Sequence, residues 1–356
     1  MMEDSFGMEE ESDDEWFYSS ISRYDDLLMY DVHGDISCST FYDSTKILLG
    51  VSRGSLHELL LLGVPDKLLA GRNAGLVKSR DFNQVAAAYT AGSVKKLVRV
   101  GSRVVVAEER GIYLYSVPDP NNASDVISLL STLKKDVDGK TVLAVSGDHV
   151  YAGDSLSNLT LLDLSSEETH VPVTLSSATK RNGDISEIVC VDDKVFICLK
   201  NEGCLLICDH KTNSVLQEVQ VEAPSGMWTM DASKDGNFVA LASSCGRVSV
   251  RDTRYIHQEM YSHNLEDVLD RTRKVTVHFS PSDPLLSVSG LNNIVEILNY
   301  KCGEGESKIF SHDGHRGKNV HTVVTHMWHP VQKNLLFSAD DTGKINAWRF
   351  KQSVNL

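Results

Sequence analysis

The sequence has no apolar run approaching the ~18 residues of a membrane span. Its densest patch, Leu59–Leu62, is cut off by Gly63 and Pro65. It has neither the basic start and apolar stretch of a secretory signal nor the Arg-rich, acid-poor start of a mitochondrial presequence. A soluble, intracellular protein is therefore expected, with no membrane partner. A basic excess is missing too: 35 Lys+Arg stand against 49 Asp+Glu, a formal net charge of −14. That balance argues against nucleic acid as a direct partner, because phosphate-backbone binding needs a basic surface. Seven cysteines without a Cys-x-x-Cys knuckle, in a chain without an export signal, read as free thiols in a reducing compartment. Enzyme signatures are absent as well: no Gly-x-Ser-x-Gly elbow, no phosphate loop, no Gly-x-Gly-x-x-Gly after a strand and no His-Glu-x-x-His. The chain is expected not to be an enzyme and to need no cofactor. Catalytic propellers exist, so a site built across a central channel stands as the most distant alternative.

The acidity is concentrated at one end. Glu3, Asp4, Glu9, Glu10, Glu11, Asp13, Asp14 and Glu15 precede the first basic residue, Arg23, and without them the formal charge is −6. Residues 1–15 are expected to form a disordered acidic tail, whose simplest role is to solubilise.

Helical periodicity is scarce along the chain, and short apolar segments are separated by turn residues every 6–10 positions, as in an all-β chain. One unit recurs: a short apolar strand, a tight turn ending in Gly or Asn, and then apolar residues at alternate positions. Its turn residues are Gly54, Gly111, Asn158, Gly203, Gly246, Asn293 and Gly343, spaced by 43 to 57 residues. That spacing is near the ~40–45 of a four-stranded propeller blade with loop insertions. Gly and Asn suit a two-residue hairpin turn that needs positive φ. Five and six residues beyond three of these turns come Cys208-Asp209, Arg251-Asp252 and Trp348-Arg349, where WD repeats carry their Trp-Asp pair. The fold class is therefore all-β, a seven-bladed WD40-type β-propeller spanning residues 16–356. The last unit lacks an outer strand, and the spare apolar segment Asp26–Val32 can supply it, closing the ring with an N-terminal strand. The longest insertion is expected at about 63–92, between blades one and two, and His263–Asp270 could make a short helix.

His312, His315, His321, His326 and His329 crowd together, and imidazole is the commonest zinc ligand. The surrounding pattern favours a structural reading: His315, Ser338, Asp341 and Trp348 as a buried hydrogen-bonded tetrad that holds the indole N–H. Asp341 is the expected acid even though the turn Asp normally directly precedes the Gly position, where Thr342 stands. Cys190, Cys198, Cys204 and Cys208 spread over three strands at spacings without a metal-binding pattern, and read as small core residues. No metal is expected. Asp252 and Arg254 end a repeat as Asp-x-Arg, which resembles the box that docks some propellers on cullin-type ubiquitin ligase adaptors. That box normally has Trp where Arg251 stands, and the substrate-receptor reading is kept as the alternative function.

Several fragments resemble the WD repeat-containing protein 73 family. They are Asp14-Glu15-Trp16, Tyr24 and Tyr30-Asp31 at the start, and Arg80-Asp81-Phe82 before blade two. In the last blade they are Thr325-His326-Met327-Trp328-His329-Pro330 and Leu335-Leu336-Phe337-Ser338-Ala339, continuing to Trp348. The acidic lead before Trp16 is longer than the short acidic start of that family. The resemblance implies a non-enzymatic adaptor associated with the Integrator endonuclease module, meaning subunits nine and eleven, together with a HEAT-repeat cofactor. The process would be snRNA 3′-end processing. It also implies links to microtubule-associated proteins, a cytoplasmic location, and nuclear and spindle-pole pools. Trp16, Tyr24, Arg80, Asp81, Phe82 and Trp328 are the candidate partner-binding residues, since aromatics and Arg dominate interface hot spots. The competing expectation is that the same aromatics are core and that Arg80 and Asp81 pin the insertion.

Overall fold

The structure is a computed structural model. It describes residues 13–70, 76–118, 126–137, 139–165, 170–175, 183–221, 226–265, 274–290, 292–302, 307–316 and 321–351. Seven four-stranded antiparallel sheets stand in a ring, a seven-bladed β-propeller. The first begins with Asp35–Asp43, Lys46–Arg53 and Leu56–Gly63, and ends with Asn83–Tyr89 as its outer strand. The inner strands of blades two to seven are Val94–Val100, Val142–Ser146, Ile185–Val191, Trp228–Ala232, Thr276–Phe279 and Val323–Trp328. These strands lie beside one another around the central channel.

The alternation in the sequence has a two-sided meaning here. Successive side chains of a strand point to opposite faces, and both faces of a blade's middle strands are covered by neighbouring blades. Ile47 and Leu49 therefore fill the seam between blades seven and one, while Leu48 between them fills the seam between blades one and two. Each of the seven seams carries its own hydrophobic cluster among the described residues. The cores lie between blades rather than within them, so the fold needs a closed ring.

Closure is made by the N-terminal strand, Tyr24–Asp31, which pairs antiparallel with Lys344–Phe350 and becomes the outer strand of blade seven. At the end of this pairing Gly343 adopts φ +91°, and a Cβ there would collide with the backbone of Gly34. Val32 N–H donates to Gly343 O at 3.1 Å at the same point. Positive φ holds at Gly54, Gly203, Gly246 and Gly343, but not at Gly111, Asn158 or Asn293. Gly111 already belongs to the strand Gly111–Ser116. Asn158 and Asn293 act through their side-chain amides instead, donating to Asp154 Oδ1 and to the His315 carbonyl.

The helix Asp13–Ser20 precedes the closing strand, so Asp13–Glu15 of the acidic segment are helical, while residues 1–12 lie outside the described residues. The blade-one insertion is narrower than 63–92, because Gly63 ends one strand of the blade and Asn83–Tyr89 is its outer strand. Its short helix, Asp66–Leu69, buries Leu68 against the seam between blades seven and one. The helix proposed at His263–Asp270 is not formed at its start: His263 and Asn264 end the strand Glu259–Asn264, and residues 266–270 lie outside the described residues.

Candidate functional site

The expected tetrad can be traced atom by atom. Trp348 Nε1–H donates to Ser338 Oγ at 3.1 Å, and the Ser338 hydroxyl reaches His315 Nε2 at 2.8 Å. His315 Nδ1 meets the carboxylate of Asp340, not of Asp341, at 2.9 Å. Ser338 and Asp340 are two residues apart on the strand Leu335–Asp340 and so share a face, whereas Asp341 starts the turn beyond it. Asp340 also accepts from Thr342 N, Thr342 Oγ1 and Lys344 N at 2.7–3.1 Å, which organises the turn into the next strand. Against desolvation by burial, the hydrogen bond and charge of His315, with the Thr342 hydrogen bonds, prevail and lower its pKa to about 2. Asp341 is part-exposed and, among the described residues, accepts only from the Thr322 N–H, with His321 Nδ1 3.8 Å away.

The other histidines of the cluster are dispersed among separate partners. His312 is stacked on Trp348 and bonded to the Tyr24 hydroxyl at 2.9 Å and to the Asn346 amide at 3.1 Å. His326 lies between Ser287 and Ser289 at 2.8 and 2.7 Å. Desolvation holds both His312 and His326 well below the ordinary histidine value, so both are neutral near pH 7. His329 Nδ1 accepts from Val331 N and Gln332 N, which leaves Nε2–H to donate to Ser44 O. Cys190, Cys198 and Cys208 have thiols pushed up to about 12 by burial, and Cys204 is buried in the same seam as Cys208. Among the described residues no group of three His, Cys, Asp or Glu is placed to hold a metal ion.

The aromatic residues proposed for partner binding face inward. Trp16, Tyr24, Phe82 and Trp328 are 3–7% exposed. Trp16 lies under the Arg316 guanidinium at 6.0 Å, and Trp328 Nε1–H donates to His278 O at 3.3 Å. Phe82 packs against Tyr30 and Phe337, so the insertion is pinned by its aromatic residue rather than by an Arg80–Asp81 pair. Arg80 and Asp81 are exposed, and no ion pair joins them to each other or to another described residue. Phe82→Ala should accordingly cost about 3 kcal/mol, whereas Arg80→Ala should change stability by less than about 0.5 kcal/mol. Urea unfolding of the two variants separates these outcomes; a Phe82→Ala variant as stable as the parent would contradict the seam role.

Arg349 clasps the closure where a WD repeat would place Asp. Its guanidinium reaches Asp26 of the closing strand at 3.0 Å, Lys333 O of blade seven at 3.1 Å and Leu68 O of the insertion at 3.0 Å. Nothing in the local sequence distinguishes this Arg from a solvated strand-end residue. The ligase-box residues are engaged within the chain. Arg254 is bidentate on Asp252 at 2.9 and 2.6 Å, and Arg251, in the Trp position, is buried and bonded to Ile256 O and Glu259.

The sequence reading also missed a cavity of about 480 Å³ at one end of the channel, where the inner strands of blades two to six begin. No helix among the described residues is long and apolar enough to cross a membrane.

A closed ring of seven blades holding a Trp–Ser–His–Asp chain defines a WD-repeat β-propeller. No family model matches the chain. Over nearly its whole length it is similar to "Integrator complex assembly factor WDR73" of Danio rerio, 26% identical over 374 residues, 97% of this chain and 98% of the relative. The protein of the same name from Xenopus laevis is 23% identical over 362 residues, 93% of this chain and 96% of that relative. The resemblance to the WD repeat-containing protein 73 family is thus borne out along the chain.

Proposed function

We propose that the chain is a non-enzymatic scaffold that assists assembly of the Integrator complex, with endonuclease subunits nine and eleven as its direct partners and snRNA 3′-end processing as the process served. The observation that carries this reading is the end-to-end similarity to two proteins named as Integrator assembly factors. The ring supports it physically: blades fused through seven packed seams present a rigid surface, which lowers the ordering cost of binding a partner. On this reading assembly takes place in the cytoplasm, with nuclear and spindle-pole pools.

With the aromatics buried, contact falls to exposed residues on the rigid frame. Arg80 and Asp81 mark the insertion. Leu129 and Leu130, each more than half exposed, lie on the outer strand of blade two, whose free edge can accept a partner strand. The test is co-purification of the tagged chain with the Integrator endonuclease subunits from cells, using the parent, Arg80→Glu/Asp81→Lys and Leu129→Ser/Leu130→Ser. Enrichment with the parent that falls in one double variant supports the reading and locates the contact. No enrichment with the parent would remove the adaptor reading.

A further inference from the structure

The cavity at the channel mouth is unusual in its charge. Five lysines line it in a chain of formal charge −14: Lys95 and Lys96 from blade two, Lys140 before blade three, Lys200 from blade four and Lys274 before blade six. The carboxylates at the same mouth are fewer. Asp154 and Asp184 line it, and Glu187 sits beside Lys96 at 2.6 Å and Lys274 at 3.7 Å. Asp154 already accepts from Ser155 Oγ and Asn158 Nδ2, and Asp231, further along the channel, is held by the Phe279 and Ala232 N–H groups. Among the described residues Lys95 reaches only the Ser93 hydroxyl, and Lys140 and Lys200 have no carboxylate partner.

This arrangement concentrates like charge. Glu187 favours the ammonium of Lys274, but desolvation and the neighbouring Lys96 and Lys200 outweigh it and hold that lysine below its ordinary value. An anion in the mouth would relieve the repulsion and remain partly shielded from water by the channel wall. Thr229 adds a hydroxyl donor, and Trp228, Val142 and Val275 supply an apolar floor.

We propose that this mouth is a binding site for a compact polyphosphate, a small molecule carrying several phosphate groups. Its volume lies within the roughly 300–1,000 Å³ of small-molecule sites. The lining contains lysines and no arginine. Arginine's planar fork suits carboxylates, whereas the lysine ammonium is a point charge that meets phosphate oxygens from any direction. The lysines come from four blades, so a bound anion links sheets that otherwise meet only through their seams. Ligand binding therefore raises the unfolding temperature of the ring by mass action.

The test is calorimetric titration of the whole chain with sodium tripolyphosphate, accompanied by thermal unfolding. Saturable one-to-one binding is expected, several-fold weaker at about 0.15 M salt than at about 0.05 M. Lys140→Gln/Lys200→Gln should bind at least about tenfold more weakly, while Lys211→Gln, at an exposed turn of blade four, should bind as the parent does. Should the double variant not fold cooperatively, single Lys95→Gln and Lys200→Gln variants replace it, each several-fold weaker. The proposal is overturned by absence of saturable binding or by unchanged affinity in folded lysine variants. Orthophosphate binding as tightly as tripolyphosphate also overturns it, leaving a single-phosphate site. A glutamate-rich peptide that binds more tightly through the same lysines overturns it in favour of an acidic peptide.

Discussion

Asp340→Ala is expected to destabilise the protein by about 3–5 kcal/mol and Asp341→Ala by less than about 1 kcal/mol. Asp340 is fully buried and receives the His315 imidazole, the Thr342 hydroxyl and two backbone N–H groups. Removing the carboxylate strands those donors where water cannot replace it, and the full desolvation cost of each is then felt. Asp341 is 43% exposed, and solvent can take over its contacts. Equilibrium urea unfolding of both variants measures the contrast directly. A larger loss at Asp341 than at Asp340 would mean that the tetrad ends on the other acid.

The same residue makes stability depend on acid. Its carboxyl is lowered in the folded protein from the ordinary 3.8 to about 2, so its contribution is complete above pH ~4 and is lost as the pH falls from there towards 2. That lowering corresponds to about 2 kcal/mol of stability. Asp340→Asn should therefore flatten the fall in stability between pH 4 and 2 relative to the parent. An identical slope in the two proteins would assign the acid sensitivity to other carboxylates.

The ring was legible because its signal is repetitive. Seven turns recur at blade spacing, and a last unit short of one strand points back to the N-terminus. Residues fixed by that phase were legible with it: His315, Ser338 and Trp348 fall at repeat positions. The acid did not, because Asp340 and Asp341 are adjacent in sequence and only the end of the strand decides which one shares a face with Ser338. Trp16, Phe82 and Trp328 look the same in sequence whether they are core or interface. Trp16 is buried by the N-terminal helix and Phe82 by the insertion, each folding back on the ring, and Trp328 by the seam between blades six and seven, none of which a local pattern encodes. The lysine mouth is different: Lys95, Lys140 and Lys274 each lie at or just before an inner strand, so a shared repeat phase was present. It was hidden because these lysines are tens of residues apart and converge only when the ring closes.

Deleting residues 1–32 should abolish cooperative folding. The deletion removes the strand paired with Lys344–Phe350 from Tyr24↔Phe350 to Asp31↔Lys344, and exposes that edge to other chains. It also removes the buried Trp16, Tyr24 and Val32, and with them the Tyr24–His312 hydrogen bond and the Asp26 partner of Arg349. Burial of one large apolar side chain is worth about 1.5–3 kcal/mol. Losing three, together with a whole strand's pairing, meets or exceeds the about 5–15 kcal/mol that holds a typical domain folded. The truncated chain is expected to aggregate and to show no cooperative thermal transition, and a peptide of residues 13–32 added in trans should restore one by refilling the outer position of blade seven. A truncated chain that is monomeric and melts within a few degrees of the parent would show that the seams alone hold the ring, with the N-terminal strand only an accessory to it.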